Sequence, residues 1–217
     1  MNSKFPARRQ LLWGLLITIT VLLIVLPLGK WLLRIQTAPP EPEAAYVSSP
    51  SLSQSSFGPM PDFSLIDPHG REVSHNDLDG RIWIADFIFT SCAGTCPIMT
   101  QNMSRLQDRL SKDIRLVSFS VDPVNDSPVV LGEFSADYQA DQTRWFFLTG
   151  EPGATQTLAN KISLAVEDGG DPNEPIIHSQ RFILIDRKGQ IRGYFDGTDD
   201  EAVEHLINVV RKLQTQE

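Results

Sequence analysis

From Leu11 to Gly29 the chain runs for 19 residues without a charged side chain, and this one stretch assigns its two sides to different solvents. At about 1.5 Å rise per residue, a helix of that length nearly spans a hydrocarbon core of about 30 Å. Lys30 and Trp31 then stand at the far interface. A cleaved secretory signal is the competing reading. Its apolar region is about 7–15 residues long and ends in a small-x-small site, which Gln36-Thr37-Ala38-Pro39 does not supply. Lys4, Arg8 and Arg9 with the amino terminus outweigh Lys30 and Arg34, so the positive-inside bias predicts a single-pass anchor with a cytoplasmic N-terminus and an exported body. Because no Cys lies near residue 30, a lipid-modified cysteine is not the expected anchor.

Charge divides at the same boundary. Residues 1–35 carry five of the 19 basic residues and no acid, which leaves 14 basic against 27 acidic residues, a net of −13, in 36–217. Such a body offers no phosphate-binding face, and nucleic acid is excluded as a partner. With 41% apolar residues and 14 Gly, the chain has the composition of a globular protein rather than a disordered or fibrous one. Its two cysteines cannot build a disulfide scaffold. Residues 36–58, rich in Pro, Glu and Ser, read as a flexible tether, and 59–217 has the length of one domain.

Within that domain strands and helices alternate. Phe63–Ile66 and Arg71–Ser74 flank Asp67-Pro68-His69-Gly70 and read as a hairpin. Ile82–Phe89 is nearly continuous in apolar and β-prone residues, the pattern of a strand buried on both faces. The run from Pro97 to Leu110 is helical in period, with Met99, Met103, Leu106 and Leu110 on one face. A strand over Ile114–Val121 and a helix over Pro128–Tyr138 follow, the latter capped by the Asp126-Ser127 pair. Next come a short strand at Arg144–Leu148, a helix at Ala154–Ile162 and a loop through Gly169–Asn173. A hairpin pairs Arg181–Asp186 with Gln190–Phe195, and a closing helix is capped by a Thr198/Glu201 box and carries Val203, Leu206, Ile207, Val210 and Leu213 as one stripe. This order predicts an α/β domain with a central mixed sheet between helices.

Cys92 and Cys96 fall in Thr90-Ser91-Cys92-Ala93-Gly94-Thr95-Cys96-Pro97, where the buried strand hands over to a helix, a position that exposes ligands at the carboxyl end of a central strand. A disulfide across so short a loop would contribute little chain-entropy stabilisation. The helix N-terminus is expected to lower thiol pKa, suiting the pair to disulfide exchange or to a soft metal such as Cu(I) or Zn(II). A third donor decides between these. His69, His75 and His205 read as turn or surface histidines. His178, in Pro175-Ile176-Ile177-His178-Ser179, leads into a strand whose start is expected to face the Cys turn, although a structural His178 stays open at this point.

Phe87-Ile88-Phe89-Thr90-Ser91-Cys92-x-x-x-Cys96-Pro97, then Ser118-Phe119-Ser120-Val121-Asp122-Pro123, then His178-Ser179, resembles the SCO/SenC family of membrane-anchored copper chaperones over about residues 57–213. The resemblance implies a thioredoxin-like fold and copper, as Cu(I) or Cu(II), held by Cys92, Cys96 and His178. It also implies a role in assembling the dinuclear copper centre of cytochrome c oxidase, by delivering copper to its receiving subunit or by reducing that subunit's cysteines. Other copper chaperones are possible partners, and the inner membrane, with the domain in the periplasm, is the expected location. Many members carry Asp before the His, where this chain has Ile177. Met99 and Met103 could lend thioethers, though core packing accounts for them as well, and Asp122 could stand near the site or simply form a turn.

Two other classes compete. A thiol–disulfide oxidoreductase would use Cys92 and Cys96 as its exchanging, catalytic pair and would have no need of His178. A thiol peroxidase would want an electropositive pocket, and no Arg or Lys lies between Arg81 and Arg105 in sequence.

Overall fold

Every residue of the strand Trp83–Ile88 is buried, as its nearly unbroken apolar run requires, and the rest of the domain is arranged to cover it. The computed structural model describes residues 56–162, 164, 166–171 and 174–216, with the strands inside 166–178 traced by their backbone. The expected anchor at 1–35 and all of the expected tether before residue 56 lie outside the described residues. Among the described residues no helix is long and apolar enough to cross a membrane.

In chain order the elements are β1 (Ser64–Ile66), β2 (Glu72–Ser74), a 3-10 turn (His75–Leu78), β3 (Trp83–Ile88), α1 (Cys96–Arg109), β4 (Arg115–Ser120), α2 (Pro128–Asp137), β5 (Trp145–Leu148), α3 (Ala154–Lys161), β6 (Val166–Asp171), β7 (Glu174–His178), β8 (Arg181–Ile185), β9 (Ile191–Asp196) and α4 (Asp200–Gln216). Five strands form the central sheet in the order β5-β4-β3-β8-β9. β3, β4 and β5 run parallel, and the crossovers this requires are made through α1 and α2. β8 lies antiparallel on the other side of β3, with Ile183 opposite Ala85 and Ile185 opposite Trp83, and β9 is antiparallel beyond it. The carboxyl ends of β3 and β4 and the amino end of β8 therefore share one end of the sheet.

Trp83, Phe87, Phe119, Trp145, Phe147 and Phe182 fill the core. Burial of such side chains is worth about 1.5–3 kcal/mol each, so sheet and helices hold together without a staple. Met99, Met103 and Leu106 of α1 are fully buried, which makes the methionine stripe part of the packing. α4 buries the predicted stripe and meets α1 through Arg105–Asp200 and Arg109–Glu204 pairs, while Asn102 Nδ2 donates at 2.9 Å to Gly197 O in the turn before α4. The first hairpin joins the β5 side, where Ile66 and Thr149 exchange backbone hydrogen bonds of 2.7 and 3.0 Å. Gly150 permits that approach, since a Cβ there would stand 2.5 Å from Leu65 Cδ2.

Three local expectations change. Gly169, Gly170 and Asp171 of the expected loop belong to β6, which pairs with β7 so that Val166 stands opposite His178, because antiparallel backbone groups satisfy each other even where side chains are poor strand formers; residues 172 and 173 lie outside the described residues. Ser127 alone caps α2, accepting from Val130 N, while Asp126 turns inward. The Thr198 box does not form: Thr198 bonds Asp196, and Asp199 accepts from the amides of Glu201 and Ala202 at the start of α4.

Candidate metal centre

β3 ends at Ile88, the Cys92 amide donates to Phe89 O at 3.3 Å, and the turn hands the chain to α1, whose first residue is Cys96. Pro97 in the first helical turn needs no amide partner, and Thr95 precedes the helix without a side-chain cap. Cys92 is half-buried and Cys96 is buried, and the two thiols, which no disulfide joins, are hydrogen-bonded to each other. A backbone hydrogen bond from Phe89 also reaches the Cys96 sulfur. The spacing Cys-x-x-x-Cys thus places one sulfur at the surface and the other beneath it.

Burial pushes the Cys96 thiol well above the ordinary thiol range, and the Cys92 contact and the charge of Asp86 push the same way. This runs against the expected lowering at Cys96, where withdrawal of the sulfur from water is the largest influence. A soft metal arriving at the pair would displace that proton, so its affinity rises with pH.

Two further carboxylates stand at this end of the sheet. Asp86, in the middle of β3 and paired in register with Ser118, is fully buried, and among the described residues neither of its carboxylate oxygens has a donor in full hydrogen-bonding geometry, the Ser118 hydroxyl being a weak partner. Burial raises it to about 7, with Ser118 a weaker opposing influence. Asp126 is also fully buried, yet it accepts from the Thr90 amide at 3.2–3.3 Å, the Thr90 hydroxyl at 2.5 Å and the Ser120 hydroxyl at 2.6 Å. Burial is again the main cause of an upward shift. Neither acid stands out in the sequence as a site residue, although a lone acid inside an apolar strand was a visible signal for Asp86; nothing local distinguishes Asp126 from a helix cap.

The histidines separate. His69 Nε2 lies 2.7 Å from Gln142 Oε1 at the first hairpin, His75 packs edge-on against Phe63 and Trp83, and His205 lies against the ring of Phe195. His178 ends β7, and Ser179 and Gln180 connect it to β8, at the same end of the sheet as the Cys turn; its side chain is outside the described residues. Gln180 is anchored there by Gly197, whose amide donates to Gln180 O at 2.8 Å. Asp122 forms its own turn, accepting from Asn125 Nδ2 at 2.8 Å. Among the described residues no three His, Cys, Asp or Glu side chains converge on a metal-sized point.

A mixed sheet with helices packed on it, and a dithiol where the central strand passes into the first long helix, defines a thioredoxin-like domain with a paired-cysteine site. The family model described as SCO1/SenC matches residues 53–215. The SCO1 protein homolog of Bacillus subtilis (strain 168) is 34% identical over 157 residues, covering 70% of this chain and 81% of that protein. A solved structure of BsSco, described as having a disulfide switch and as a member of the Sco family of cytochrome c oxidase assembly proteins, matches with TM-score 0.67 and 32% identity over 76% of this chain and 98% of its own. A protein of Stutzerimonas stutzeri, named provisionally as copper-binding, is 31% identical over 143 residues, 62% of this chain and 68% of that protein. The chain belongs to the SCO1/SenC family.

Proposed function

We propose that this protein is a copper-binding metallochaperone that assists assembly of the dinuclear copper centre of cytochrome c oxidase. Cys92, Cys96 and His178 are its ligands, and residues 1–35 tether a periplasmic domain to the membrane through the linker at 36–58. The observation that carries the reading is the contact between the Cys92 and Cys96 thiols at the sheet end to which the β7–β8 connection returns. Two soft sulfurs with an imidazole suit copper in either oxidation state, and the description of BsSco and the name of the Stutzerimonas relative support the same assignment. Copper is cargo here, to be passed to the receiving subunit or used beside reduction of that subunit's cysteines.

A thiol–disulfide oxidoreductase is the second reading, favoured by two thiols in contact. His178→Ala in the detergent-solubilised full chain separates the two. The copper reading expects Cu(II) binding, followed by sulfur-to-copper charge-transfer absorption, to be lost almost completely, and Cu(I) binding to be weakened less. Disulfide exchange with a test substrate depends on thiolate fraction and access and should hardly change. Unchanged charge-transfer absorption in His178→Ala would remove His178 from the ligand set and move the assignment to the oxidoreductase.

A further inference from the structure

Among the described residues the turn that carries Cys92 has few hydrogen bonds within itself, apart from the thiol contact with Cys96. Within the stretch from Thr90 to Thr95, the hydrogen bond of the Cys92 amide to Phe89 O, at 3.3 Å, is long, and Thr95 makes no cap. The neighbouring turn after β4 is built differently. The amides of Asn125 and Asp126 donate to Asp122 O at 3.1 and 2.8 Å, the Asp122 amide donates to Ser120 Oγ at 3.1 Å, and Gln156 Nε2 donates to Val121 O at 2.5 Å. That self-supporting turn delivers the Asp126 carboxylate to Thr90, two residues before Cys92, where it takes both the amide and the hydroxyl.

We infer that Asp126 is a positioning residue for the dithiol: through Thr90 it holds the Cys92 turn where the Cys92 and Cys96 sulfurs meet. The chemistry of the acceptor argues for this. All three donors, the Thr90 amide, the Thr90 hydroxyl and the Ser120 hydroxyl, point at one carboxylate, which is withdrawn from water. A carboxylate is purely an acceptor with two oxygens, whereas an amide of the same shape brings its own N–H donors against the Thr90 N–H or the Ser120 hydroxyl. A helix cap needs none of this burial, and Ser127 already caps α2. The inference rests on the reading of Cys92 and Cys96 as a working pair, and it concerns where Cys92 stands, whichever chemistry the pair performs.

The test uses full-length protein with Asp126→Asn, Thr90→Val, Thr90→Ser and, as a stability control, Leu213→Ala. Leu213 is a buried residue of α4, and the adjacent Gln214 bonds Ser111 ahead of β4, at the far end of the sheet. Each variant is read by thermal melting, by the rate of Cys92 alkylation in a Cys96→Ser background, and by Cu(II) charge-transfer absorption and affinity in the native-cysteine protein. Asp126→Asn and Thr90→Val are expected to change the alkylation rate at least about threefold and to weaken Cu(II) about tenfold or more, as loss of a group that orients a ligand does. Thr90→Ser, which keeps both donors, and Leu213→Ala, which only lowers stability, should match the parent protein in both readouts. If Asp126→Asn does not fold, Thr90→Val decides. Unchanged alkylation in the folded Asp126 or Thr90 variants, or an equal change in Leu213→Ala, would overturn the inference. A parent protein that takes up no copper would instead defeat the copper reading and leave alkylation to judge Asp126.

Discussion

Asp86 and Asp126 are both fully buried near the dithiol end of the molecule, but the strand and the turn that carry them treat a carboxylate in opposite ways. In the middle of β3, Asp86 has only weak support from Ser118 among the described residues and is raised by burial to about 7, so below neutral pH it is accommodated as a neutral acid. In the turn after β4, Asp126 gathers three donors, which oppose the effect of burial. The lesson is that burial alone says little about a carboxylate's role. Its donors decide whether the group is stored as an acid or used as a fixed acceptor that joins two segments.

The largest expected effect tests the Asp86 side of that contrast. Its folded pKa of about 7 lies above the ordinary 3.8, so between those values the native state holds a proton that the unfolded chain has released. The stability this confers is complete below the unfolded pKa and is lost as pH rises through the window towards 7. At about 1.4 kcal/mol per unit, the loss across it is about 4 kcal/mol. Denaturant titrations of wild type and Asp86→Asn at steps from pH 4 to pH 8 should show this as a difference between the two curves, the substituted protein lacking the downward component. Parallel curves would mean that Asp86 ionises in the fold as freely as in the open chain, and the contrast would collapse.

A smaller effect is expected on the Asp126 side. Asp126→Ala strands the Thr90 amide and two hydroxyls away from water, a cost of about 2–3 kcal/mol. Asp122→Ala, in the same turn but partnered mainly by Asn125, should cost about 1 kcal/mol. Equal costs, measured by chemical denaturation, would show that Asp126 does no more than shape its own turn.

The smallest effect sharpens the assignment of the cap. Ser127→Ala removes a long hydrogen bond of 3.4 Å at the start of α2 and should cost about 0.5–1 kcal/mol while leaving thiol reactivity unchanged. A change in Cys92 alkylation in that variant would show that the helix end, rather than the buried carboxylate, governs the Cys turn.

Much of this was legible in the order of residues. The strand at Ile82–Phe89, the stripe at Met99, Met103 and Leu106 and the stripe at Val203–Leu213 announced their elements, because period and burial are local properties of the chain. The Cys92/Cys96 spacing at a strand-to-helix junction announced the dithiol on the same grounds. The β6–β7 hairpin was not legible, since Glu167, Asp168 and the two glycines that follow carry no strand pattern and pairing is supplied by a partner segment. The cap of α4 was misread by one residue, and at α2 the pair Asp126-Ser127 was left undivided although Ser127 alone caps, because an acid and a hydroxyl stand together at both places and either could serve.

By itself, then, the sequence determined which segments other than β6 and β7 are strands and helices, that two soft donors stand four residues apart at the head of a helix, and that His178 precedes the strand β8. Tertiary structure alone decided three things. Cys96 is buried enough for its thiol to be pushed up instead of down, Asp86 is left with only weak support from Ser118 among the described residues, and Asp126 crosses 36 residues of sequence to hold Thr90. The physical reason is common to all three. Desolvation and hydrogen-bond partnership depend on which loops fold against one another at the end of a sheet, and no pattern within a single segment carries that information.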